Sequence, residues 1–196
     1  MWIRHATDPR GAAYNMREAL RLRGDLRREV LREALNQLVA GHEAFRTTFE
    51  LAGAEPVAII GPVQPANLVE VDARAWTASA REEQLEREAR HIAAQPFDLQ
   101  HAPLHRFALF QLGEQDHALV LVMHHIIGDA WSWGILLREL QALYRAGMHG
   151  KALPSPPARA IDFVDYANWQ RRHVDEEVLG PQVHYWLQQL ASMSPL

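Results

Sequence analysis

Two adjacent histidines and an aspartate are the residues of this chain whose types and spacing suggest chemistry. His124 and His125 end an apolar run, and Asp129 follows them in the segment MHHIIGDAWSWG. An imidazole, with an ordinary pKa of about 6.5, can accept a proton at neutral pH, so it suits general base catalysis of an acyl transfer. Successive residues of a strand point to opposite faces, so one histidine should face a cleft while the other is packed.

Two further interpretations of the same residues stay open from the pattern. His124, His125 and Asp129 have the composition of a two-histidine, one-carboxylate metal site, although adjacent strand residues diverge and no HExxH spacing is present. Alternatively, both histidines are structural and Asp129 stabilises the N-terminus of the following helix. The residues by themselves do not separate these three interpretations.

The strands around this segment are predicted from alternation and from apolar runs. Residues 14–24 alternate with a period of two from Glu18 onward, and the β-rich runs 104–112 and 117–125 are joined by a short loop, as in a hairpin. The run 117–125 is almost entirely apolar, which predicts a central strand buried on both faces. Shorter strands are predicted at residues 45–51, 57–60 and 68–72.

Helices are predicted where apolar residues recur at helical spacing. The segments are 26–39 with Asp25 as N-cap, 77–95, 132–146 with Ser132 as N-cap, 161–173 and 176–191. Strands and helices are mixed without a strict βαβ rhythm, which predicts an α/β fold with a mixed, largely antiparallel sheet flanked by helices. A proline-rich loop at 149–160 is the best candidate for a boundary, although we expect it to be only a long connection.

Composition argues against several classes of protein. The chain has 196 residues and a formal net charge of -4, whereas a nucleic-acid-binding surface needs a clustered basic surplus. It contains no cysteine, which rules out a disulfide framework, a thiolate nucleophile and cysteine metal ligands. No apolar run approaches the ~18 residues of a membrane span, and the first residues lack the apolar core of a signal peptide. We therefore expect a soluble, cytoplasmic protein without nucleic-acid or membrane partners.

Several motifs of the chain together resemble those of a known family. MHHIIGDAWS resembles the HHxxxDG signature of condensation domains from nonribosomal peptide synthetases, which belong with the chloramphenicol-acetyltransferase-like acyltransferases. HEAFRTTF at 42–49 resembles the family's RHExLRTxF motif, and FVDYANW at 163–169 resembles its YxDYAxW motif. AYNM at 13–16 and PFDL at 96–99 are also similar and stand in the same order. Condensation domains have two similar lobes, so the resemblance implies that residues 1–196 form an amino-terminal lobe with the second lobe absent.

The resemblance implies a role for each residue of the signature. His125 would position or deprotonate the acceptor amine as it attacks a thioester, and His124 would be a buried supporting residue. Asp129 would hold the motif loop by a salt bridge. Gly128, with the N–H groups that open the next helix, would help to stabilise an oxyanion. Two further residues would shape the wall of the site, Trp131 and Ser132.

Two positions depart from the family pattern. Ala130 stands where the family has a glycine after the aspartate, which is tolerable if this residue keeps a negative φ. Gly41 stands where a basic residue usually precedes His42. If that basic residue is the usual partner of Asp129, the aspartate must pair elsewhere, and Arg46 is the candidate.

The resemblance implies amide-bond formation between a carrier-bound acyl donor and an acceptor amine in a complete condensation domain. The phosphopantetheine arms would belong to partner carrier proteins, so no cofactor or metal is expected to bind tightly here. Peptidyl carrier proteins, adjacent synthetase domains and the second lobe are the expected partners. In the family the reaction tunnel lies between the two lobes, so one lobe supplies half of its wall. We therefore expect the fragment to be inactive and to self-associate through an exposed apolar face. The alternatives are a non-catalytic docking lobe, and a related acyltransferase that uses coenzyme A or forms an ester, an epimerase or a cyclase.

Overall fold

The computed structural model describes residues 1–53, 55–150, 161–174 and 176–193. The chain divides into two compact units, Met1–Ala158 and Arg159–Leu196. The elements of the first unit are α1 (Trp2–Thr7), β1 (Asn15–Arg23), α2 (Arg28–Gly41), a 3-10 turn (Glu43–Arg46), β2 (Thr47–Ala52), β3 (Glu55–Ile60), β4 (Leu68–Asp72), α3 (Arg81–Ala94), β5 (His105–Gln111), β6 (Asp116–His124) and α4 (Ala130–Met148). The second unit contains α5 (Phe163–His173) and α6 (Glu176–Leu190).

A mixed four-stranded sheet in the order β1-β6-β5-β4 forms the centre of the first unit. β6 pairs antiparallel with both β1 and β5, whereas β4 joins β5 in parallel. β2 and β3 form a separate antiparallel hairpin. The prediction of an α/β fold with a mixed, largely antiparallel sheet is confirmed. The expectation that the apolar run at 117–125 is a central strand is confirmed as well, because residues 117–124 are buried.

Helices cover both faces of this sheet, and β6 contributes to both cores. One set of alternate β6 residues packs with α2 and α4: Leu119, Leu121 and Met123. The other set packs on the side of α3: Ala118, Val120 and Val122. Because strand residues alternate in this way, His124 belongs to the α3 face, and His125 follows on the α4 face.

Helix starts differ from those predicted. α2 begins at Arg28, and Asp25 caps no helix but accepts a hydrogen bond from Gln115 at 2.9 Å. α3 begins at Arg81 rather than at residue 77. α4 begins at Ala130, and its N-cap is Asp129, so the prediction that Ser132 is the N-cap is wrong. Apolar spacing identifies the buried face of a helix, but its first residue depends on contacts that the spacing does not record.

The second unit consists of two helices close to the predicted positions. Its helices expose many large apolar side chains, among them Phe163, Trp169, Trp186 and Leu187. Residues 151–160 of the predicted proline-rich loop lie outside the described residues. Among the helices that the structure describes, none has both the length and the hydropathy required to cross a bilayer.

Candidate active site

The two motif histidines lie at the end of β6 in different environments. His124 is 3% exposed, and its ring packs near Tyr14 and Phe97, with centroids 6.1 and 6.3 Å away. His125 is only half-buried. The two side chains therefore differ in exposure, and His125 is the one that retains access to solvent.

His124 is a neutral, packed imidazole. Its Nδ1 accepts a hydrogen bond from the backbone N–H of Ile126 at 3.1 Å, which places the ring proton on Nε2. Burial lowers the pKa of His124 to about 4, and the nearby imidazoles of His5 and His125 act in the same direction. Nδ1 of His124 is thus occupied, and the described residues contain no group of three or more side chains of histidine, cysteine, aspartate or glutamate placed to hold a metal ion.

His125 is held through its backbone. Its N–H donates to the carbonyl oxygen of Tyr14 at 2.7 Å, one step beyond the last pair of the β1–β6 ladder, Asn15 with His124. Within the described residues, Nδ1 of His125 is buried and has no hydrogen-bond partner. The position of this ring is therefore set by the main chain at 14 and 125 rather than by a side-chain hydrogen bond to its Nδ1.

Asp129 caps α4 together with Ser132. Its Oδ1 accepts the N–H of Ser132 at 2.8 Å and the hydroxyl of Ser132 at 2.8 Å, while its own N–H donates to that hydroxyl oxygen at 3.1 Å. The N–H of Ser132 and then its hydroxyl lower the pKa of Asp129, and the imidazole of His125 adds a smaller effect. The carboxylate is therefore charged at a helix N-terminus, where negative charge is favourable.

The expectation that Asp129 holds the motif loop by a salt bridge to Arg46 is wrong. Arg46 is engaged elsewhere, because it donates to Glu43 at 2.9 Å and to the carbonyl oxygen of Gly61 at 2.8 Å. Asp129 holds the loop by capping instead. The expected oxyanion role of the N–H groups that open α4 fails for Ser132, because its N–H already donates to the Asp129 carboxylate.

Three further residues lie in the turn and in the first turn of α4: Gly128, Ala130 and Trp131. A Cβ on Gly128 would lie 3.0 Å from Sδ and 3.2 Å from Cε of Met123, so glycine permits a close approach there. Ala130 keeps a negative φ, since Asn67 is the only non-glycine residue in the described ranges with a positive one. Alanine at position 130 is therefore compatible with the backbone. Trp131 is 80% exposed at the start of α4.

Two residues that hold the site, Tyr14 and Asn15, were assigned no role from the sequence, although both lie in the family-like segment AYNM. Tyr14 contributes its carbonyl oxygen to the His125 N–H and its ring to the packing around His124. The side chain of Asn15 bonds to the carbonyls of Ala93 and Gln95, which are 78 and 80 positions away in the chain. The cap itself was detectable, because aspartate is a preferred N-cap residue.

Known proteins resemble the chain over nearly its whole length. The family model described as Condensation domain matches residues 1–196. Chondramide synthase cmdD from Chondromyces crocatus is 35% identical over 197 residues, a match that covers 100% of this chain and 5% of that protein. The solved first condensation domain of the calcium-dependent antibiotic synthetase has a TM-score of 0.84 and 27% identity, covering 98% of this chain and 46% of that one. The X-domain in its complex with OxyB from teicoplanin biosynthesis has a TM-score of 0.82 and 30% identity, covering 98% and 42%.

The fold places the chain in the structural class of the solved condensation domains. The chain belongs to the condensation-domain family. The resemblance inferred from its motifs is thereby confirmed. The chain spans less than half the length of these solved structures and 5% of the chondramide synthase, so the activity of such larger proteins does not follow from the match alone.

Proposed function

We propose that the chain is the amino-terminal lobe of a condensation domain that joins a carrier-bound acyl thioester to an acceptor amine. The observation that supports this function is the half-buried imidazole of His125 beside the packed, neutral His124. A neutral imidazole can accept the proton of the amine as it attacks the thioester carbonyl. The C–N bond then forms, the C–S bond breaks, and the leaving thiolate takes up a proton to give the free thiol.

We propose different roles for the two ring nitrogens of His125, of which Nδ1 is buried. Since Nδ1 is buried, Nε2 is the nitrogen proposed to meet the acceptor amine. The turn that carries the ring is held by the cap between Asp129 and Ser132, so both act as positioning residues. Trp131 is exposed and is proposed to form part of the channel wall. Arg46 has no role in this proposal, because its partners are Glu43 and Gly61.

Condensation domains of nonribosomal peptide synthetases work in general with the phosphopantetheine arms of carrier proteins. For this chain we propose the same division of labour, in which the arms belong to the carrier proteins and the lobe holds no cofactor of its own. Its proposed partners are donor and acceptor carrier proteins, adjacent synthetase domains and a second lobe. Residues 1–196 are proposed to supply one wall of the reaction tunnel, so turnover should require the second lobe.

The decisive experiment replaces His125 by alanine in the synthetase that carries the chain. Loss of a general base should reduce formation of the dipeptidyl product by ~10²–10⁴-fold. The control is His149→Ala, because His149 is an exposed histidine at the far end of α4. Undiminished product from the His125 variant would remove this residue from the mechanism. Product formed by the 196-residue chain alone would contradict the requirement for a second lobe.

A second candidate function is a docking lobe without catalysis. It is favoured by the likeness to the X-domain, which was solved in complex with OxyB. The replacement of a basic family residue by Gly41 points the same way. In that case His125→Ala should leave product formation unchanged, and removal of the lobe should abolish binding of a neighbouring protein. Related acyltransferases that use free coenzyme A thioesters are distinguished by an assay with such donors.

A further inference from the structure

We infer that Asn15 is a positioning residue for His125, acting through the main chain that its side chain ties to the end of α3. The inference rests on the proposed role of His125 in catalysis. Asn15 is the first residue of β1 and pairs with His124 in the strand ladder. It does not belong to the histidine motif, and it touches neither His125 nor the substrate in the proposed mechanism.

The side chain of Asn15 is bound at two points of one helix end. Its amide nitrogen donates to the carbonyl oxygen of Ala93 at 2.7 Å and to that of Gln95 at 2.8 Å. The last turn of a helix leaves carbonyl groups without intrahelical partners, so these bonds supply what the end of α3 lacks. The orientation of the amide is fixed, because a flip would turn its oxygen toward two carbonyl oxygens.

The main chain next to Asn15 holds the proposed catalytic histidine. Tyr14, its immediate neighbour, accepts the N–H of His125 at 2.7 Å, just before the start of β1 and just after the end of β6. A hydrogen bond at the end of a ladder frays unless the chain on both sides is anchored. The Asn15 side chain anchors one side, and the turn N–H of Ile127, which donates to the His124 carbonyl at 3.1 Å, anchors the other.

A second clamp acts on the same helix end. Arg106 donates to the carbonyl oxygens of Gln95 at 2.9 Å and Pro96 at 2.7 Å, and its guanidinium lies 3.7 Å from the centroid of the Phe97 ring. Phe97 in turn packs edge-on against His124. The end of α3 is therefore held from β1 and from β5, and it is joined to the packed histidine. Asn15 links the end of α3 to the start of β1, which pairs with the end of β6 next to His125.

The first experiment measures the His125 main chain without using activity. In the 196-residue chain, Asn15→Asp keeps the size of the side chain but turns a carboxylate oxygen toward two carbonyl oxygens. Hydrogen exchange of the His125 amide, followed by NMR, should become about tenfold faster, while the Leu119 amide in the middle of β6 keeps its rate. Equal acceleration at both amides, or at neither, would overturn the inference.

The matched control breaks another contact between the same strand and the same helix. Arg17 on β1 donates to Glu86 on α3 at 2.6 and 3.0 Å, two turns before the helix end that Asn15 binds. Arg17→Gln should leave exchange of the His125 amide unchanged. If this control accelerates that amide as much as Asn15→Asp does, the effect is general loosening of β1 against α3, and the positioning role is refuted.

The second experiment measures catalysis in the synthetase that carries the chain. A small displacement of a catalytic group lowers the rate of the chemical step, so Asn15→Asp should reduce kcat about tenfold or more with KM within about twofold. Arg17→Gln should leave both constants unchanged. A rise in KM at constant kcat would overturn the positioning role. If His125→Ala is fully active, the proposed function fails, and the exchange rates still decide whether Asn15 orders the main chain at 125.

Discussion

Asp129 and Ser132 hold each other at the first turn of α4, where one carboxylate oxygen accepts both the N–H and the hydroxyl of Ser132 at 2.8 Å. The other end of the preceding turn is bound as well, because the N–H groups of Ile126 and Ile127 donate to Nδ1 and to the carbonyl oxygen of His124. His125 thus leads into a short turn that is fixed at both ends. The cap should matter for stability as well as for the position of the histidine.

Removal of this cap should destabilise the first unit. We expect Asp129→Ala to lower the free energy of unfolding by about 1 kcal/mol at pH 7, measured by urea denaturation. The lowered pKa of Asp129 means that the unfolded chain binds the proton more readily, so the contribution is present above pH ~4 and is lost as pH falls through the folded value. Asp25→Ala, at an aspartate that caps no helix, is the control. Equal stability of the wild type and Asp129→Ala at pH 7 would contradict this role.

The sequence predicted the parts of the site that depend on local pattern. The hairpin of β5 and β6 follows from two apolar runs with a short loop between them, and the divergence of His124 and His125 follows from the period of a strand. The partner of Asp129 could not be predicted in this way. Two candidates, an arginine and the N-terminus of the next helix, were both compatible with the sequence, and the choice depends on where Arg46 lies in space.

The contact between Asn15 and the end of α3 could not be predicted from the sequence for a different reason. The AYNM segment resembles family sequence, but its residue types do not show what the side chain of Asn15 binds. Its partners are backbone carbonyls, which any residue at 93 and 95 would provide. Only the packing of α3 across β1 brings them within hydrogen-bond distance. Interactions of this kind need the register of the sheet as well as the helix position, and local periodicity fixes neither.

The close contact of Gly128 with Met123 predicts that a methyl group at 128 is poorly tolerated. Its Cβ would lie 3.0 Å from Sδ, and Met123 is a buried member of the core that also contains α4. We expect Gly128→Ala to cost about 1 kcal/mol in the free energy of unfolding. In a Met123→Leu background, where Sδ and Cε are absent, the additional cost should be smaller. Strictly additive effects in this double-mutant cycle would show that the contact is not the cause.

The exposed apolar side chains of α5 and α6 predict self-association of the 196-residue chain. Trp169, Trp186 and Leu187 are each more than half exposed, within a segment that carries many others of the same kind. Large apolar surfaces seldom stay free in water. We expect sedimentation velocity to show concentration-dependent oligomers that Trp186→Glu reduces. Val69→Glu, at an exposed apolar side chain of β4 in the first unit and outside the proposed site, is the control and should have little effect. A monomer at all concentrations would refute this expectation.

His105 predicts a specific loss of stability in mild acid. Both of its ring nitrogens are buried without a partner in the described part of the chain, between the rings of Phe45 and Phe107 at 4.8 Å each. Burial lowers the pKa of His105 to about 4, so at a given pH below about 6.5 this imidazole binds a proton more readily in the unfolded chain than in the folded one. The free energy of unfolding therefore falls as pH drops from about 6.5 to 4. His105→Leu should raise the free energy of unfolding at pH 5 by about 1–2 kcal/mol relative to the wild type, measured by urea denaturation.

His124, whose pKa is also about 4, should keep part of the pH dependence in that variant. The exposed control His91→Leu should leave the profile unchanged, and a profile of His105→Leu identical to that of the wild type would refute the assignment.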